Sequence, residues 1–288
     1  MDADRKDMEG IMEEYDIAVI GGDKRTAYMA PFFREMGYRV ICYKISHVKE
    51  GKIEADGTAE SLKQAVESAK IIVGGIPIEK KGIVHIRELS RHLRKHHIVF
   101  GGVIPEAFRQ ECDERGICCY DFMKDESIAV FNAVATAEGA ILEALIHKDT
   151  NIHRSRTLVL GYGRCGTVLA QKLKGLSAFV TVCGCSSVEL ARAEAMGMET
   201  LLLNRLEEKA GEFEYLYNTI PALVLEERML DKLQKGALIV DIASGKGGVD
   251  YQAAERLGVK ALHCLGLPGK YAGKISAKRL TEYVVEKL

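Results

Sequence analysis

Three glycines at the spacing G-x-G-x-x-G, Gly161, Gly163 and Gly166, stand between the apolar run Thr157–Leu160 and an apolar-periodic stretch that reads as a helix. Placed between strand and helix, this spacing is that of a dinucleotide-binding turn. Gly161 permits the tight turn, Gly163 lets the backbone approach a pyrophosphate, and Gly166 allows close helix–strand packing; Tyr162, Arg164 and Cys165 complete the loop. The helix N-terminus then offers N–H donors and a positive dipole to the phosphates. Which nucleotide binds is decided after the next strand, Phe179–Cys183, where an NAD site carries Asp or Glu to accept from the ribose hydroxyls. This chain continues Gly184-Cys185-Ser186-Ser187, without an acid. Two hydroxyls, with Arg164 or Arg192 close enough to help, favour a 2′-phosphate, and so NADP over NAD. Ser186 and Ser187 serve equally as an N-cap.

Further small-residue loops fall where the nicotinamide end of a cofactor belongs. They are Asn218-Thr219-Ile220-Pro221, then Asp241-Ile-Ala243-Ser244-Gly-Lys246-Gly-Gly248, then Gly266-Leu-Pro268-Gly269. Each alone is a turn; at successive strand ends of one sheet they predict a lined cleft. The first half opens with a related but incomplete signal, Gly21-Gly22-Asp23-Lys24-Arg25, which lacks the third glycine. It suits a carboxylate, held by Arg25 and helix N–H groups. The competing reading is Asp23 as an N-cap with solvated basic neighbours. The eight scattered cysteines read as buried free thiols, His96-His97 as a solvated helix end, and no metal site is expected. His263 falls within a strand-like stretch and is not assigned a catalytic role.

These residues need strands to carry them. Short apolar runs alternate with amphipathic stretches almost throughout, which predicts two doubly wound parallel α/β sheets with ligands beyond the carboxyl ends of the strands. The first series is Asp16–Ile20, Arg39–Tyr43, Ile71–Val73, Ile98–Phe100 and Ile117–Tyr120, with helices near Arg25–Met36, Ala59–Ala69, Ile86–Lys95 and Glu106–Glu114. The second is Thr157–Leu160, Phe179–Cys183, Glu199–Leu202, Tyr215–Asn218, Leu238–Asp241 and Ala261–Cys264. One long helix, Phe131–His147, separates them, giving a first domain over 15–130, an interdomain helix over 131–150 and a nucleotide-binding domain over 151–270. The amphipathic segment 271–288 either closes the second domain or crosses back to the first. The 288 residues suffice for two cores at about 150 residues each. With 40 Lys+Arg against 41 Asp+Glu, the net charge of −1 excludes a general attraction to nucleic acid or anionic membrane. Without a signal-like N-terminus, or an apolar run near the ~20 residues that span a bilayer, a cytoplasmic protein is expected.

The combination of GGD-x-R (Gly21–Arg25), LGYGRCG (Leu160–Gly166), NTIP (Asn218–Pro221), DIAS-x-x-GG-x-D (Asp241–Asp250) and GLPG (Gly266–Gly269) resembles the dipicolinate synthase A-subunit family of endospore-forming bacteria, from about Asp16 onward. The resemblance implies a flavodoxin-like domain followed by an NADP-binding Rossmann domain. It implies oxidation of dihydrodipicolinate to dipicolinate in sporulation, beside a flavoprotein B-subunit that carries FMN. Two departures stand out: Cys185 replaces a family Arg ahead of the paired serines, and a family Pro is missing near Ala135. On this reading the substrate lies between the domains, its carboxylates held by Arg25, Lys24 and Lys274, with Asn132 and Thr136 as hydrogen-bond donors. Asp23 and Glu138 are candidate bases, and a homodimer or higher oligomer is expected. Two alternatives stay open. One is another NAD(P)-linked enzyme, such as an adenosylhomocysteine hydrolase-like one, since Gly161-Tyr-Gly163 is similar there. The other is a non-catalytic NADP(H)-binding subunit of a flavoprotein complex.

Overall fold

The structure, a computed structural model, describes residues 14–45 and 54–288. The chain divides into two units, Met1–Ala129 with Ala272–Leu288, and Val130–Tyr271. Both are doubly wound α/β units built on a six-stranded parallel sheet.

In the first unit the strands are β1 (Tyr15–Ile20), β2 (Val40–Tyr43), β3 (Gly57–Thr58), β4 (Ala69–Gly74), β5 (Ile98–Gly101) and β6 (Cys118–Asp121). Their order is β3-β2-β1-β4-β5-β6. The two-residue β3, too short to show in the sequence, adds an edge to what is otherwise the flavodoxin-like order. Because helices cover both faces, β2 is buried along its whole length and reads as an uninterrupted apolar run. Alternate residues feed opposite cores, Ala18, Ile20 and Ile72 on one face and Ile17, Val19 and Val73 on the other. The second face is closed by helix Lys24–Glu35 and by helix Gly273–Glu286, which contributes Ala277, Leu280, Tyr283 and Val284. The helix expected at Ala59–Ala69 is shorter, Leu62–Glu67, because Ser61 caps it by accepting from Gln64 N at 3.1 Å.

The second unit has β7 (Arg156–Leu160), β8 (Phe179–Gly184), β9 (Glu199–Leu202), β10 (Tyr215–Asn218), β11 (Leu238–Asp241) and β12 (Lys260–His263), ordered β12-β11-β10-β7-β8-β9. The order reverses between β7 and β10, the point at which such sheets bind ligands. Register aligns the strand ends: Leu160 pairs with Asn218 and Cys183, Asn218 with Asp241, and Asp241 with His263. The motif loops therefore leave the sheet side by side.

The long helix starts earlier than expected, at Glu126, and ends at His147. Asp125 accounts for the difference: its carboxylate accepts from Ile128 N at 3.2 Å and from Ser127 Oγ at 2.6 Å at the first turn. Contrary to the sequence reading, this helix is long and apolar enough to cross a bilayer, yet 56% of its most apolar stretch is buried. Ala137, Ala140 and Ala144 belong to the core of the second unit.

Candidate functional site

The turn after β7 has a different geometry at each of its three glycines. Gly161 has φ +87°, and a side chain there would meet Thr219 Oγ1 at 2.5 Å. Thr219 is itself anchored across the sheet, its N–H and hydroxyl donating to Leu160 O at 3.0 and 2.8 Å. A Cβ on Gly166 would overlap Gly161 O and lie 2.9 Å from Gly161 C, so only glycine lets helix Arg164–Gly175 start this close to the strand. Gly163 is the opposite case: it is extended, and a Cβ there would meet nothing within 4 Å. Its backbone faces open space at a helix N-terminus whose first N–H groups have no intrahelical acceptors. Helix end and open glycine fit a pyrophosphate. Tyr162 is buried with an unpartnered hydroxyl, and burial raises its phenol above the ordinary range. Arg164 is exposed and Cys165 half-buried, its thiol also raised by burial.

After β8, Ser186 is the N-cap of helix Ser187–Ala195 and accepts from Glu189 N at 3.3 Å. As an acceptor there it keeps its own proton to donate. Cys185 and Ser187 are exposed at the same strand end. The expectation that the cysteines are buried holds for Cys42, Cys112 and Cys183, whereas Cys118 and Cys185 are exposed. Exposure follows from position: both stand at the rim of a sheet, Cys185 in the loop itself.

Beyond β10 and β11 the loops are organised by a residue that the sequence reading did not single out. Asp241 is fully buried, and its carboxylate accepts from Asn218 Nδ2 (2.9 Å), Ala243 N (3.0 Å), Gly248 N (2.6 Å) and Tyr251 Oη (2.7 Å). Asn218 also closes its own loop, donating to Ile220 O at 3.0 Å and accepting from Ile220 N at 3.1 Å. Burial first, then the bond to Asp241, holds the Tyr251 phenol protonated. One carboxylate thus joins Ile220, Ala243 and Gly248, which carry the β10 and β11 loops. Pro221 and Ser244 are exposed at the rim, and Ala243 is buried.

The third loop differs from expectation. Gly266 is exposed with φ +67°, but Leu267–Tyr271 is a short helix with Pro268 buried, packed so closely on Gly139 that a Cβ there would lie 2.9 Å from Leu267 Cβ. The buried Glu143 pins this helix, accepting from Tyr271 Oη at 2.7 Å and from Lys270 Nζ. Burial works to raise the Glu143 carboxyl, but these bonds and the charges of Lys270 and His147 outweigh it and hold it below its ordinary value.

On the same long helix, Thr136 is a correction. Its hydroxyl donates to Asn132 O at 2.9 Å, one turn back, so its proton is not available as a donor to a ligand. Asn132 is half-buried. Glu138 is exposed and ion-paired with Lys172 Nζ at 2.8 Å.

In the first unit, Asp23 caps helix Lys24–Glu35, accepting from Arg25 N at 2.9 Å. The same carboxylate takes Arg25 Nε and Nη2, the latter at 2.7 Å, and Nη2 also donates to Ile76 O at 3.1 Å. Arg25 is only 4% exposed. It braces the loops after β1 and β4, and Lys80 Nζ adds a second tie to Gly22 O at 2.8 Å. Lys24 and Lys274 are exposed, and Gly273 packs against the Lys24 stem, so the structure brings these two lysines into one neighbourhood. Another correction concerns His97, which is 2% exposed rather than solvated. Its Nδ1 accepts from Arg94 N at 2.7 Å, so Nε2 carries the proton toward Val66 O at 3.1 Å. Burial foremost, then the neighbouring His96, lowers it to about 4.

Comparison with known proteins agrees with this architecture. A family model for the N-terminal domain of the dipicolinate synthase A-subunit matches residues 16–123. The chain is 34% identical to the dipicolinate synthase A-subunit of Bacillus subtilis (strain 168) over 285 residues, 94% of this chain and 96% of that one. It is similar to the crystal structure of the dipicolinate synthase A-subunit from Bacillus halodurans, with a TM-score of 0.80 and 26% identity, covering 96% and 98% of the two chains. The transhydrogenase of Sinorhizobium meliloti shares the fold at a TM-score of 0.66 and 16% identity, covering 93% of each chain. The match in identity and length is sufficient to classify the protein: it belongs to the dipicolinate synthase A-subunit family.

Proposed function

We propose that the second unit binds NADP and that the chain oxidises dihydrodipicolinate to dipicolinate as one component of a dipicolinate synthase. The observation that carries the reading is the turn Gly161–Gly166, with an open glycine backbone facing a helix N-terminus at the point where strand order reverses. The absence of an acid after β8, with Ser186 keeping a donor and Ser187 exposed, supports NADP over NAD. Thr219, Ile220 and Pro221, with Ala243, Ser244 and Gly266, would line the nicotinamide end, held in place by Asp241 and Glu143. A nicotinamide there supplies the hydride acceptor, while the protein orients the ring and excludes water. Aromatisation of the ring makes the step favourable, so positioning is the larger part of the work asked of the protein. The family name marks one component of a complex, and the proposed partner is a flavoprotein B-subunit with FMN.

The test is dipicolinate formation by the purified chain from freshly generated dihydrodipicolinate and NADP⁺, with and without the flavoprotein, against a no-enzyme control. Product with matching NADPH from the chain alone supports the reading. Product only with the partner makes the chain an obligate or non-catalytic NADP(H)-binding component. No product in either arm, with NADP bound, refutes the substrate.

A further inference from the structure

The loop after β11 holds a lysine to which neither the fold nor the cofactor turn gives a task. Ser244-Gly245-Lys246-Gly247 borders a cavity of about 800 Å³ within the second unit, lined also by Pro221 and Leu223 from the β10 loop and by Tyr251. That volume lies within the ~300–1,000 Å³ of small-molecule sites, and its apolar wall with a few polar groups matches their usual chemistry. Lys246 is exposed, and among the described residues no carboxylate pairs with it. The backbone N–H groups of Gly245 and Lys246 likewise have no acceptor among the described residues. Gly245 and Gly247 have φ +71° and +76°, and successive turns of this kind form concavities that favour anions. The only other charged group lining the cavity, among the described residues, is Asp250, which is committed to capping helix Tyr251–Leu257 through Ala253 N at 2.9 Å. The loop is also held still from beneath, because Asp241 binds Ala243 N and Gly248 N on either side of it.

We infer that Lys246 and the Ser244–Gly247 loop bind a carboxylate of the ring substrate, whose flat face rests against Pro221 and Leu223. The inference rests on the proposed dicarboxylate substrate and gives its recognition to the unit that carries the cofactor turn. The Arg25 guanidinium, by contrast, already binds Asp23 and the Ile76 carbonyl.

The experiment is calorimetric titration of dipicolinate, the stable aromatic dicarboxylate, into the full chain saturated with NADPH. Wild type is compared with Lys246→Ala, Lys246→Arg and, as an exposed-charge control, Lys235→Ala. The loss of a charge-assisted bond predicts about tenfold to a hundredfold weaker dipicolinate binding by Lys246→Ala. Partial or full retention is expected for Lys246→Arg, no change for Lys235→Ala, and equal NADPH affinity in all four. Equal dipicolinate affinity in wild type and Lys246→Ala overturns the inference and leaves the proposed function intact. Weakened NADPH binding by Lys246→Ala also overturns it, since Lys246 would then serve the cofactor. A wild-type chain that binds NADPH but not dipicolinate overturns both.

Discussion

Gly163 and Gly166 lie three residues apart in one turn, and replacing each by alanine separates holding the fold from holding phosphate. At Gly163, φ −72° and ψ −164° suit alanine, and the new methyl meets nothing within 4 Å. The cost to folding is that of alanine for glycine at an N-cap, about 0.5 kcal/mol. The methyl nevertheless occupies the face through which a pyrophosphate would reach the backbone. Loss of one charge-assisted bond of about 1.5–3 kcal/mol weakens NADPH about tenfold to a hundredfold. At Gly166 the balance reverses. Its Cβ overlaps backbone atoms of Gly161, which cannot rotate away, and overpacking of this kind costs about 1–3 kcal/mol. Helix propensity returns about 1 kcal/mol. The net loss of up to about 2 kcal/mol lowers the melting temperature by about 2–4 °C per kcal/mol in a protein of this size. Parallel thermal unfolding and NADPH titration of the two variants reads both quantities. If Gly163→Ala binds NADPH within twofold of wild type, the assignment of that open backbone to phosphate is wrong.

Protonation of His97 should couple stability to pH. With the folded imidazole near 4 and an unfolded one near 6.5, the unfolded chain binds the extra proton between these values. Stability is therefore full above about pH 6.5 and falls by up to ~3 kcal/mol toward pH 4. Urea midpoints of wild type and His97→Asn should converge over that range; parallel curves would refute the assignment. Replacing Asp241 by Ala strands four donors in the interior, and should lower stability by ~3 kcal/mol or more and loosen NADPH binding together. A variant with wild-type melting and affinity would show that the β10 and β11 loops are held otherwise. Arg25→Ala removes the brace between the β1 and β4 loops, at ~2 kcal/mol, and should leave NADPH affinity unchanged. Hydrogen exchange in the first unit, measured beside an NADPH titration, checks both halves.

What the sequence disclosed, and what it hid, follows from the range of the interactions. The Gly161–Gly166 turn is a local device: the spacing alone says that one glycine must turn, one lie open and one pack, and each does so in the structure. Strands such as Tyr215–Asn218 and Leu238–Asp241 are buried on both faces and were legible to the residue as apolar runs. Asp241 itself was not legible as a hub, because its donors lie up to 23 residues away in sequence and meet only through strand register. His97 was disguised by its basic neighbours, and only the packed structure shows it bonded to Val66 O, 31 residues away. Thr136 reads as a donor by residue type, yet a helix interior offers its hydroxyl a carbonyl one turn back. Gly57–Thr58 carries too few residues for any period to show.

The first unit depends on helix Gly273–Glu286 to complete its core, although 142 residues of the second unit intervene. During synthesis, Ile17, Val19, Phe33 and Phe100 must therefore wait for Leu280, Tyr283 and Val284 to be made, while residues 130–271 can already condense. The unit that begins the chain matures last, and until then presents an apolar face on which a chaperone could act. A fragment limited to residues 16–123, the span of the family's N-terminal domain, would lack Ala277, Leu280, Tyr283 and Val284 and leave that face uncovered.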